Sequence, residues 1–233
     1  MMKLTTYLFL FYVFFLWPPQ LTATEFPAVD AAPWVGVDFK GIPCNGRNQG
    51  FGPFDYTNPN HTSAYEGRVT KLQIVERAHF SPESENLIKP KVGSFLGDFA
   101  YTLMAWPNHH RALLSLIRFD LEVRNNIRKP QKKETEVECW FQRAIHFAPK
   151  DWITYSIYGH YLRKVGRFQE SKSIYESALK LKSNDSKLEY AYSLLLYDMK
   201  SYKEAAEHAK KAYSNGKPPK SLKDKLIKLN VWD

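Results

Sequence analysis

Val137–Tyr213 reads VECWFQRAIHFAPKDWITYSIYGHYLRKVGRFQESKSIYESALKLKSNDSKLEYAYSLLLYDMKSYKEAAEHAKKAY, and it repeats itself. Ala144, Ala178 and Ala212 stand 34 residues apart (178 − 144 and 212 − 178), each preceded three positions earlier by Phe141, Tyr175 or Ala209. Tyr158-Gly159 with Leu162 returns as Tyr192-Ser193 with Leu196, and Phe168 returns as Tyr202. A fixed period in this range belongs to chains that stack one supersecondary unit on the next. The small residues let antiparallel helices approach closely, and the aromatics and leucines fill the seams. No unit buries its apolar stripe alone, so each needs neighbours. These residues make the fold without naming a ligand.

Over roughly residues 134–216 the spacing and residue types resemble the tetratricopeptide repeat (TPR), with Pro149 closing the earlier unit. The resemblance implies an all-α fold: a right-handed α-solenoid of about three helix pairs with a C-terminal capping helix, behind an irregular N-terminal region rich in Pro, Gly and aromatics. The expected organisation is a leader over 1–23, an irregular cap over 24–96, a short helix and divergent first repeat over 97–148, repeats over 149–185 and 186–217, and a capping helix over 218–233.

The chain has 233 residues, 24% charged and 44% hydrophobic, which is ordinary for a globular protein. Its net charge of +9, or 9 − 1 = +8 without Lys3, favours acidic surfaces over neutral ones. Nucleic acid is not the expected partner, because basic and acidic residues interleave along helix faces, as in KSLKDKLIK. Met1–Gln20 places one lysine before an apolar run, Tyr7–Trp17, and then Pro18-Pro19. That is the layout of a secretory signal peptide, with the cut after Ala23. The run is shorter than a membrane span of about 20 residues, although an uncleaved anchor is the alternative. The expected location is the periplasm or the outside of the cell.

Residues 25–66 read as turns, and their Phe51, Phe54 and Tyr56 suggest an ordered cap. Arg68–His79 fits either a short strand or the start of a helix. Ser81-Pro82-Glu83 starts a helix, and Gly97–Ala105 forms another, closed by Pro107. Asn108 is expected to cap a long helix from His109 to about Arg128, broken at Lys129-Pro130 and answered by an antiparallel partner, Glu134–Ala148. Pro218–Asp233 alternates lysines with leucines, as a capping helix does.

Chemistry-bearing motifs are scarce. His79, His109 and His110 form the one histidine group that could hold a metal, but adjacent residues on a helix point about 100° apart, and neither HExxH nor a paired His/Cys spacing occurs. The plainer reading has Asn108 and the histidines settling a helix start and bonding the N-terminal cap. No nucleophile elbow and no phosphate loop occur, so neither an enzyme nor a cofactor is expected. GDFAYTLMAWPNHHRAL (97–113), GFGPFDY (50–56) and ECWFQRAIHFAPKD (138–151) resemble exported bacterial TPR proteins in which a Cys-bearing cap precedes the repeats; the resemblance implies no biochemical role.

In such repeats one stripe of each first helix lines a concave wall. Here the stripe is Ile153, Ser156, His160 and Arg163, then Lys187, Tyr190, Leu194 and Tyr197, in steps of three, four and three. Ser156, His160 and Tyr190 replace the lysines and asparagines that clamp a peptide carboxylate in better-known members. The expected function is a non-catalytic scaffold holding a protein or peptide in that groove, with peripheral contact to acidic envelope surfaces. The alternative is a metal-dependent enzyme or cell-wall glycan binder built on the N-terminal His/aromatic region. Cys44 and Cys139 are the two cysteines of the chain. An exported chain with an even count points to a Cys44–Cys139 disulfide tying the cap to the solenoid, the other possibility being two buried thiols that never meet.

Overall fold

The computed structural model describes residues 32–47, 50–65 and 69–232. The leader and its cut after Ala23 lie outside them. The described residues form a two-stranded ladder, β1 (Ala64–Tyr65) and β2 (Val69–Thr70), and ten helices. These are α1 (Lys71–His79), α2 (Pro82–Glu85), α3 (Phe95–Ala105), α4 (His110–Arg124), α5 (Val137–Phe147), α6 (Trp152–Lys164), α7 (Phe168–Leu181), α8 (Ser186–Asp198), α9 (Tyr202–Ser214) and α10 (Ser221–Lys228). The fold is mostly helical, as expected. No helix among the described residues is long and apolar enough to cross a membrane.

Two helix pairs carry the period. α6 and α8 begin 34 residues apart (186 − 152), and so do α7 and α9 (202 − 168). Each first helix opens on an aspartate: Asp151 accepts from the Ile153 amide, and Asp185 from the amides of Lys187 and Leu188. Those bonds satisfy donors that a helix start leaves without partners. Each pair then turns on a left-handed residue, Gly166 at φ +80° and Lys200 at φ +62°, again 34 apart (200 − 166). Within the pairs, α6 packs on α7 and α8 on α9, and α7 joins the two.

Gly159 shows how close the backbones come. A Cβ there would stand 2.9 Å from the Tyr175 ring, and Ser171 Oγ donates to the Gly159 carbonyl at 2.7 Å. In the next pair Ser193 and Ala209, both fully buried, take the equivalent positions. A smaller residue on the second helix leaves room for a larger one on the first. Ala144, Ala178 and Ala212 are each 0% exposed. α5 packs against α4 and α6, while α10 lies on α9 and buries Leu222 and Leu226.

The N-terminal half departs from the sequence expectation at α4. The helix expected from Ser81 is α2, and of Arg68–His79 the described residues 69–79 divide into strand and helix: Thr70 closes β2 and caps α1, in a reciprocal box with Gln73. The cap of α4 is His109 rather than Asn108, because His109 Nδ1 accepts from the Ala112 amide at 3.1 Å. The helix also stops at Arg124, earlier than the expected Arg128, where Asn126 at φ +56° turns the chain.

Residues 32–47 form a strap along α5. Glu138 accepts from the Phe39 amide at 2.7 Å, Gln142 donates to the Val37 carbonyl at 2.7 Å, and Thr135 donates to the Asn45 carbonyl at 2.9 Å. Trp34 meets Trp140 edge to face at 4.7 Å, and Phe39 stacks toward Tyr161. A disulfide joins Cys44 to Cys139 across 95 residues.

Two outcomes follow from this geometry. Lys200 holds a conformation that costs a non-glycine residue about 1 kcal/mol, so Lys200→Gly is expected to raise unfolding free energy by up to that amount in urea titration, and Gly166→Ala to lower it. Unfolded, non-reduced protein is expected to show no reactive thiol. Cys139→Ala is expected to lose about 2–4 kcal/mol of stability, since the bond closes so long a loop; an unchanged urea midpoint would contradict this.

Candidate functional site

The eight residues of the first-helix stripe fall along one edge of α6 and α8, where successive first helices meet. Lys187 alone of the eight is exposed, and the other seven are half-buried. Ile153, Tyr190, Leu194 and Tyr197 rest their apolar sides on the core. Arg163 reaches from α6 to the end of α8, its Nη1 bonding Asp198 at 2.6 Å. Its Nε is buried and meets no hydrogen-bond partner among the described residues. Burial, followed by the charges of Arg163 and Lys164, pushes the His160 imidazole down to about 4. At neutral pH His160 is therefore an uncharged donor and acceptor on this face.

The α8 half of the stripe runs into aromatics that the sequence reading left out of the site. Tyr190 meets Tyr213 edge-on at 6.4 Å, and Tyr213 meets Trp232 at 5.5 Å. Lys223 Nζ stands 5.1 Å from the Trp232 ring and 5.9 Å from that of Tyr213, and Lys225 Nζ 5.4 Å from Tyr197. The period carries the signal that could have found them: Tyr213 ends α9, and a first-helix stripe continues onto whatever packs beyond it. A surface of tyrosine, tryptophan and lysine presents flat apolar area with a charged border, which suits protein recognition.

The three histidines go to three different partners. His109 is fully buried, caps α4 through Nδ1, and places Nε2 3.0 Å from Glu76. Burial outweighs the pull of Glu76, so its ring is held below the ordinary histidine range. Glu76 also takes Arg111 Nη1 at 2.9 Å, while the remaining donors of Arg111 grip Glu85. His110 Nε2 lies 2.7 Å from Asp151, which also accepts from Asn108 and Thr154. Burial would raise that carboxyl, but these bonds, that of His110 first, keep it below the usual range. His79 stacks on Tyr101 at 3.8 Å.

Asn108, though not the cap, does bond the N-terminal region. Its Oδ1 accepts from the Tyr56 amide at 2.9 Å and its Nδ2 donates to Asp55 at 2.8 Å. Tyr56 covers His109 and His110 at ring distances of 4.5 and 5.0 Å. Among the described residues no three His, Cys, Asp or Glu side chains converge to hold a metal ion.

One cleft of about 300 Å³ opens between α3, α5 and the segment before α5. Leu96, Met104, Phe119 and Trp140 form its floor, and Arg47, Lys132 and Lys133 lie along its mouth. Lys133 is tied to Asp120 at 2.6 Å. The arrangement is an apolar slot bordered by paired charges, since Arg47 meets Glu134 and Lys133 meets Asp120. No family model matches the chain, and no curated protein is similar to it.

His160 sets a pH dependence whose sign is fixed by its burial. A histidine held from its ordinary 6.5 to about 4 contributes stability above pH 6.5 that is lost as pH falls toward 4. His160→Gln is expected to flatten the stability profile across that window by on the order of 1 kcal/mol, after discounting for its partial exposure. Equal slopes for both proteins in urea titrations at stepped pH would exclude the effect.

Proposed function

We propose that this chain is a non-catalytic TPR-type scaffold, exported to an oxidising compartment, which holds a protein or peptide segment against the first-helix stripe of α6 and α8. The observation that carries the reading is the repetition of geometry. Helices start 34 residues apart, turn on equivalent left-handed residues and bury equivalent alanines. The positions between those constraints carry Ser156, His160 and Arg163 on one helix and Lys187, Tyr190 and Tyr197 on the next. A surface spared by the packing rules is where a scaffold places its specificity.

The Cys44–Cys139 bond fits a compartment where disulfides persist. The net charge of +9 favours an acidic ligand or a neighbouring acidic surface. An enzyme or glycan binder on the N-terminal cap draws less support, because His109 is engaged by Ala112 and Glu76, His110 by Asp151 and Asn108 by Tyr56.

Arg163 and Lys187 are no longer equivalent probes of this groove, as their sequence positions suggested. Arg163→Glu sets a carboxylate against Asp198 in a half-buried site, so it is expected to lower the melting temperature as well as affinity. Lys187 is exposed and in no ion pair among the described residues. Peptides selected from a random library on the immobilised protein are expected to bind Lys187→Glu about tenfold more weakly, with helicity and melting unchanged. Equal affinity for both proteins would move the site off this stripe.

A further inference from the structure

α2 and α4 end in the same way. After α2 the Leu87 amide bonds the Ser84 carbonyl at 3.1 Å and the Ile88 amide the Glu83 carbonyl at 2.9 Å. After α4 the Asn126 amide bonds Val123 at 3.0 Å and the Ile127 amide bonds Glu122 at 2.8 Å. Leu87 and Asn126 hold φ +59° and +56°. Both are Schellman turns, in which the residue after the left-handed one normally packs on an apolar residue five positions earlier. Here that earlier residue is Glu83 or Glu122, so Ile88 and Ile127 find no apolar neighbour there. Each is 74% exposed, the highest value among the large hydrophobic side chains described.

The rest of the chain supplies the comparison. After α10 the Val231 amide bonds the Leu226 carbonyl, and Val231 packs on the core in the ordinary way. After α6 and α8 the same place is taken by polar residues, Arg167 and Ser201. Among the described residues, only the turns after α2 and α4 combine this backbone with a large aliphatic side chain directed at water.

The two turns are also held together. Arg128 Nη2 donates to the Leu87 carbonyl at 3.1 Å, Nε bonds Glu122 at 2.6 Å, and the guanidinium lies over Phe95 and Phe119. Asp98, fully buried, takes the amides of Lys91 and Val92. Val92 adds a third aliphatic side chain, 55% exposed. Around these tips Lys89, Lys91, Lys129 and Lys132 are exposed, and none is in an ion pair with a described residue. Glu83 lies near enough to feel Lys89 and Lys91, and Glu122 is already matched by Arg128.

We propose that these two turns are a docking surface for an anionic lipid bilayer, with Ile88, Val92 and Ile127 entering the interface and the four lysines meeting the lipid phosphates. The composition argues for lipid over protein. Protein interfaces are depleted in lysine and rich in aromatics and arginine, whereas aliphatic tips inside a lysine collar match a surface that is apolar below and anionic above.

The test is hydrogen exchange of the full-length chain with and without vesicles of phosphatidylcholine containing phosphatidylglycerol, beside pure phosphatidylcholine. Slowed exchange is expected across 87–92 and 126–130 with the anionic vesicles alone, fading at high salt. Because the readout is local, binding through the apolar run at 7–17 does not imitate it. Ile88→Asp with Ile127→Asp, and separately glutamate at the four lysine positions, are each expected to weaken vesicle binding at these turns at least about tenfold. Unchanged exchange at both turns would overturn the proposal. So would anionic binding that is indifferent to the two aspartates, which would assign the lysines to a soluble acidic polymer or protein.

Discussion

Arg143 occupies the place from which the N-terminal half is held. It is 1% exposed, and its guanidinium donates to the carbonyls of Ala32 at 2.7 Å, Leu103 at 2.8 Å and Met104 at 3.4 Å. A charge taken from water is costly unless it is bonded. Leu103 and Met104 belong to the last turn of α3, where free carbonyls and the negative end of the helix dipole favour a cation. The Trp34 ring lies 5.0 Å away and adds its face. Burial still pushes the group down to about 10, so it carries its charge at neutral pH. One side chain of α5 thereby joins the strap, α3 and the first repeat.

That anchorage explains why a segment with so little regular structure stays in place. The strap packs Ala32, Trp34 and Phe39 on apolar neighbours but leaves Val37 and Ile42 exposed, and its irregular backbone needs hydrogen-bond partners. Thr135, just before α5, and Glu138, Gln142 and Arg143 on it each bond the strap. The Cys44–Cys139 bond removes much of the entropy that a free segment would regain on leaving. Glu138 shows the strength of the demand: burial raises its carboxyl above the ordinary range even though the Phe39 amide bonds it. Hydrogen bonds and the crosslink add to the apolar contacts of Ala32, Trp34 and Phe39 in holding the strap.

What could be read from the sequence divides along the range of the interaction. The 34-residue spacing was legible because helix pairs bury the same positions each time, and Ala144, Ala178 and Ala212 are all fully buried. The cysteine pair was legible from its even count. Ser81 as a cap was legible because its bond reaches only to Ser84. The strap was not, since Gln142 and Val37 are 105 residues apart and nothing local marks them as partners. Asn108 was mistaken for the cap because asparagine is the stronger capping residue in general, but here its amide is engaged by Tyr56 and Asp55, leaving His109 to cap. Trp232 escaped notice because residues of the capping segment read as cover for the core, and Tyr213 because it lies on a second helix, off the first-helix stripe.

The stripe on α6 and α8 differs from the core in a way that bears on how a ligand would be read. At equivalent positions the core repeats its chemistry, with Tyr158 answered by Tyr192 and Leu162 by Leu196. The stripe does not: Ile153 is answered by Lys187, Ser156 by Tyr190, His160 by Leu194 and Arg163 by Tyr197. If the stripe holds a ligand as proposed, a repetitive ligand would call for a repetitive wall, so this one would suit an aperiodic segment read residue by residue. Its two ends also differ in freedom, because Arg163 is drawn toward Asp198 while Lys187, at the exposed end of α8, is in no ion pair among the described residues. A segment lying along the stripe would meet an open cation at one end and a competed one at the other. On the proposed reading, that asymmetry would give a bound chain a direction, which the periodic core alone could not supply.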